Sequence, residues 1–164
     1  MDPQKDYPFA ERLKLQDLIL DNAIEEWASV AHHTFVSDRT PLDMLAYTMA
    51  DIQRKTLTVV ERAEFKLYMD RCFKVTNWYF SVLVVHQPGI PYVDDPTKGP
   101  PCMGYIEHIN TLITGLVADR RCHAERSIIP REVLDLERRV GAVNSALRRA
   151  VTKFSAEQAN GVTH

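Results

Sequence analysis

Glycine is scarce in this chain: six in 164 residues, three of them inside one proline-rich segment. Little backbone is left to cradle a phosphate, and neither a P-loop nor a dinucleotide-binding glycine fingerprint occurs. HExxH, CxxC and GxSxG are also missing, which removes the usual signatures of zinc proteases, dithiol redox proteins and α/β-hydrolases. Cysteine is limited to Cys72, Cys102 and Cys122. Three widely spaced thiols build no disulfide framework and suit a reducing compartment. No apolar run is long enough to span a bilayer; the longest lies around Trp78 to Val85. The first residues, MDPQKDYPFAERLK, are polar and carry no secretory signal pattern. Asn-x-Ser/Thr is absent too. A cytoplasmic protein with no membrane partner is the expectation.

Charge of one sign is not in excess either. The net charge of −2 argues against a chain that coats nucleic acid or an anionic membrane over its whole surface. From Tyr105 onward, however, nine Lys and Arg stand against seven Asp and Glu, so the acidic excess belongs to the first part. A hydrophobic share of 45% and a charged share of 26% are ordinary for a folded domain. The length suits one helical domain over residues 1–164, large enough to bury a core.

What is present is helical periodicity. Val133, Leu136, Val140, Val143, Leu147, Ala150 and Phe154 recur at alternating steps of three and four, which places them on one stripe of a long helix starting at Pro130. Arg138, Arg139, Arg148, Arg149 and Lys153 lie away from that stripe. A first helix is read from Phe9 to His33, with Leu13, Leu20, Ile24, Trp27 and Ala31 inward and Leu18 and Ile19 widening the stripe. Thr40 caps a second helix, with Pro41 at its first position and Asp43 echoing a capping box. Leu42, Leu45, Met49 and Ile52 carry that helix. Phe65, Met69, Cys72, Thr76, Tyr79 and Leu83 keep the helical period, although the β-branched and aromatic content of Val75 to Val85 makes a short strand the competing reading. Residues 87–104 hold five of the nine prolines and form a long loop, docked and extended or mobile. Tyr105, Ile109, Leu112 and Leu116 give a fourth helix. Ser127-Ile128-Ile129 reads as a hinge, and residues 159–164 as a frayed tail. The sum is an all-α fold, a four- to five-helix bundle with one Pro/Gly-rich loop.

Catalytic constellations are thin. Glu61 and Glu64 lack the histidine that a di-iron bundle needs and read as a solvated face. Cys102, His108, Cys122 and His123 have zinc-ligand chemistry. Cys122 and His123, though, are neighbours whose side chains diverge by about 100° on a helix. No metal, cofactor or catalytic residue is assigned. His32-His33 suits the negative end of the first helix dipole. Trp78 and Tyr79, with Trp27 and Phe80, read as core or as interface anchors.

The segment LDLERRVGAVNSALRRAV, from Leu134 to Val151, resembles the long C-terminal bundle helix of tobamovirus-type coat proteins. INTLITGLVADRR, from Ile109 to Arg121, is similar to the helix and arginine-bearing turn before it. The resemblance covers only these two segments, and the paired aspartates that follow the Arg-Arg-Val run in that family are Gly141 and Ala142 here. It implies a bundle subunit assembling into a rod, with virion localisation and RNA contact by Arg120 and Arg121. Arg138, Arg139, Arg148 and Arg149 extend the candidate RNA-contacting set, because guanidinium groups bind phosphate bidentately. The interleaved acids Asp119, Glu125, Glu132, Asp135 and Glu137 are equally consistent with a salt-bridged helix face.

These patterns lead to a non-enzymatic protein that works by association, most readily as a subunit of a larger assembly. The alternatives are a regulatory adaptor that binds a partner helix in a groove near the proline loop and, from another class, a metal- or thiol-dependent enzyme. The candidate interface is Val133, Leu136, Val140, Val143, Leu147 and Phe154, with Trp78 and Tyr79. On this reading Leu147→Asp abolishes folding or association, and native-mass measurement with circular dichroism reads the outcome.

Overall fold

The computed structural model describes residues 8–30, 34–52, 56–90 and 102–159. Contacts cluster into two compact units, Met1–Tyr79 and Phe80–His164, a division that the expected single domain of residues 1–164 did not draw.

The first unit is three helices: α1 (Phe9–Val30), α2 (Pro41–Ile52) and α3 (Val59–Tyr79). Phe9, Leu13, Leu20 and Trp27 are the buried line of α1, and the seven-residue steps after Leu13 keep it on one face. Leu42, Leu45 and Ala46 meet them from α2, and Tyr68, Cys72, Phe73, Val75 and Thr76 from α3. Phe9 and Phe65 stack edge to face at 6.2 Å, and Trp27 and Tyr79 lie tilted at 6.0 Å. Arg12 pairs with Asp51 at 3.1 Å, tying α1 to α2, while Arg71 of α3 bridges Asp17 and Asp21 of α1.

Helix starts follow side-chain chemistry. The Asp43 carboxylate accepts from both the N–H and the hydroxyl of Thr40. Glu61 does the same for Thr58, and the Glu61 N–H donates back to the Thr58 hydroxyl, a full capping box that starts α3. Glu61 is therefore a helix cap rather than an idle charge. Asp135 accepts from the Arg138 N–H at 2.9 Å and starts the last helix at Leu136, not at Pro130.

The second unit departs from the all-α expectation. It runs β1 (Val82–His86), α4 (Met103–Ala118), β2 (Glu125–Ile129) and α5 (Leu136–Ala159). The strands pair in parallel, Val82 opposite Glu125 through His86 opposite Ile129. Bonds from the Glu125 N–H to the Ser81 carbonyl and from the Gln87 N–H to the Ile129 carbonyl extend the ladder at each end. A parallel pair needs a crossover, and α4 lies within it. The stretch ambiguous between helix and strand divides at Phe80: α3 ends at Tyr79 and β1 follows. The expected hinge at Ser127 to Ile129 is strand, because Ile128 and Ile129 are β-branched and a waiting edge pairs with them. The fold is thus mostly helical with a small parallel sheet, not a pure bundle. The central part of the proline loop and the tail from residue 160 lie outside the described residues, as do His32 and His33.

Gly89 fixes the exit from β1. A Cβ built there would lie 2.0 Å from the Arg131 carbonyl oxygen. Backbone meets backbone at that point and no side chain can give way. Gly89→Ala is expected to destabilise the chain by about 1–3 kcal/mol, the usual range for overpacking, seen as a lowered denaturant midpoint with unchanged slope.

Candidate functional site

The last helix carries two apolar surfaces rather than one. Ala146 and Ala150 are buried, and α5 packs on both strands. Val143 is half-buried beside them. Leu136 is 73% exposed, Val140 49%, Leu147 43% and Val151 66%. At about 100° per residue, the two alanines lie roughly a quarter turn from the line of large aliphatics. Of the stripe read from sequence, Ala150 is covered by the sheet, while Leu136, Val140 and Leu147 face solvent. Val133 precedes the helix, half-buried in the turn after β2, where its N–H donates to the Pro130 carbonyl. The Phe154 side chain lies outside the described residues. Val151, four residues after Leu147, belongs to the exposed line, and its spacing made it readable in the sequence.

Polar groups hold α5 and its turn in place. Arg149 Nε donates to Glu125 of β2 at 3.0 Å, and Arg139 Nε donates to the Val133 carbonyl at 2.7 Å. Arg131 grips Glu107 of α4 through two bonds of 2.8 and 3.0 Å, and the guanidinium holds the Glu107 carboxyl below its ordinary range. Arg126 donates to the Val117 carbonyl. Arg121 folds back onto Asp119 through its side chain and its backbone N–H.

The six arginines of the candidate RNA set therefore divide. Arg121, Arg139 and Arg149 are held by internal acceptors. The Arg120, Arg138 and Arg148 side chains are exposed and bind no acceptor among the described residues. Arg148 lies on α5 beside the exposed aliphatic line; Glu137, one turn from Val140, flanks the same edge and likewise has no ionic partner among the described residues.

The first unit exposes apolar side chains of its own. Leu15, Leu18 and Ile19 form a patch on α1. Val60, Leu67 and Trp78 fall on one line of α3, and Trp78 is 76% exposed. Tyr79, the other candidate anchor, is half-buried against Trp27 instead. A shallow groove of about 260 Å³ runs between α1 and α3, lined by Leu13, Lys14, Leu67, Tyr68 and Arg71 among others. Burial pushes the Tyr68 hydroxyl far above its ordinary range and the Cys72 thiol up to about 12, so neither is a ready nucleophile.

Among the described residues no three His, Cys, Asp or Glu side chains come together to hold a metal ion. Cys102 is exposed just before α4, and Cys122 is buried. No described helix is long and apolar enough to cross a membrane. Compared with known proteins, the chain matches no protein-family model, no curated protein and no solved structure.

The Arg121 clamp holds the Asp119 carboxyl at about 2, below the ordinary 3.8. A carboxyl depressed on folding adds stability above the unfolded value and loses it as pH falls through the folded one. Arg121→Ala is expected to raise the Asp119 midpoint toward 3.8, followed by NMR titration of its carboxyl carbon. An unmoved midpoint would mean that the guanidinium is not the cause.

Proposed function

We propose that this chain is a non-enzymatic helical protein that acts by protein–protein association, as a subunit of a larger assembly, through the exposed face of α5. The carrying observation is the line Leu136, Val140, Leu147 and Val151, four large aliphatics left in water on a helix whose neighbouring face is already packed.

Magnitudes favour several weak contacts over one strong contact. Full burial of a Leu or Val side chain contributes about 1.5–3 kcal/mol, and these four are already partly covered. Association costs about 4–15 kcal/mol in lost freedom. One such line gives a weak contact; several in one particle reinforce each other. The patches on α1 and α3 support this reading, because an open assembly needs more than one contact surface, whereas a closed dimer needs one.

The adaptor alternative draws on the exposed Trp78, since tryptophan is enriched among interface hot spots. RNA contact by a coat-like subunit would rest on Arg120, Arg138 and Arg148, the members of the set whose side chains find no acceptor among the described residues. Binding that weakens steeply with salt is its signature.

Exposure separates the two outcomes that the sequence left joined for Leu147→Asp. Leu147→Asp and Val140→Asp are expected to leave the circular dichroism melt of the chain nearly unchanged and to reduce native mass to that of a single chain. A wild type that stays a single chain at every concentration overturns the assembly reading. A sharp small complex with a partner protein favours the adaptor.

A further inference from the structure

The exposed edge of α5 has a feature that a generic docking face lacks: it is complementary to itself when turned end for end. In an antiparallel helix pair, residues whose numbers share a constant sum lie at the same level. Taking the midpoint between Val143 and Asn144, Val140 falls level with Leu147 of a second copy, and Leu136 with Val151. Every exposed aliphatic on the line then meets another. Each α5 has one flank against its own sheet, through Ala146 and Ala150, and one free flank carrying Glu137 and Arg148. A two-fold axis perpendicular to the helices sets free flank against free flank. Glu137 of one copy then stands within two residues' rise, about 3 Å along the axis, of Arg148 in the other. The contact occurs twice by symmetry. Neither group has an ionic partner among the described residues of its own chain.

A parallel pair does the reverse. Its axis runs along the helices, so each free flank meets the partner's sheet-covered flank. Glu137 and Arg148 stay apart.

Resting on the reading of α5 as the contact face, we infer that its occupant is a second copy of this chain, docked antiparallel with Val140 against Leu147 and Glu137 against Arg148. The aliphatic line is about 22 Å long, shorter than an interface of about 800 Å² per partner requires. The pair is therefore concentration-dependent, and other surfaces must complete any larger particle.

Two measurements on the full chain test this. In sedimentation equilibrium, Glu137→Arg and Arg148→Glu each replace attraction by like-charge repulsion and weaken dimerisation a few-fold; the double variant re-forms both pairs and returns it to near the wild-type value. In a Cys102→Ser background, which removes the exposed native thiol, Val140→Cys and Leu147→Cys chains of different mass are mixed and oxidised. Antiparallel docking gives mainly the mixed disulfide, because like positions lie about 10 Å apart along the axis. Parallel docking gives mainly like-with-like disulfides, which overturns the proposal. So does an absence of cross-links together with charge variants that act additively. If association is lost in Leu147→Asp while both of these tests fail, α5 remains the contact face and only the second copy in this register is wrong. If no self-association occurs at any concentration, the paired copy and the assembly reading fall together.

Discussion

A two-stranded sheet is too narrow to cover the apolar arc of the helix laid upon it, and the surface of this protein follows from that mismatch. Neighbouring strands stand about 4.8 Å apart, whereas a helix with its side chains is about 10–12 Å across. Where α5 packs on β1 and β2, its only buried residues among those described are Ala146 and Ala150, small side chains that allow a close approach of backbone to strand. The large aliphatics, a quarter turn away, are left exposed. A third strand or another helix beside α5 would have buried them. Their exposure is a consequence of how little sheet the second unit possesses.

The polar contacts of that unit fix which way α5 faces. Arg149 holds β2 through Glu125, Arg139 holds the preceding turn through the Val133 carbonyl, and Arg131 holds α4 through Glu107. Together they set the rotation of the helix about its axis, so the alanines stay on the strands. The same contacts occupy arginines that would otherwise be free for phosphate. Packing and electrostatics thus act in one direction, toward a helix anchored on its small, basic side and open on its large, apolar side. The first unit is organised differently. Its buried residues come from all three helices, and α1 and α3 also leave aliphatic and aromatic side chains exposed.

Much of the local structure was legible in the residues. Helical period located α1, α2 and α4, and Thr40 with Asp43 marked the start of α2 as read. Two further starts were written as plainly and were passed over: Thr58 followed by Glu61, and Asp135 three residues before Arg138. The strands were harder to see. Leu83 continues the helical period of α3 into β1, and β2 has only five residues, too few for alternation to declare itself. A parallel pair is specified by contact between segments some forty positions apart, and no local window contains that information.

The amino-acid order alone determined that the last helix is amphipathic, that its aliphatics fall on one line and its arginines elsewhere, and that the chain is mostly helical with no described helix long and apolar enough to cross a membrane. Only the tertiary structure decided which part of that apolar arc is buried. Periodicity reports that side chains share a direction; it does not report what lies in that direction. Here the sheet takes the alanines and leaves the leucines and valines, because close packing selects for fit as well as for hydrophobicity.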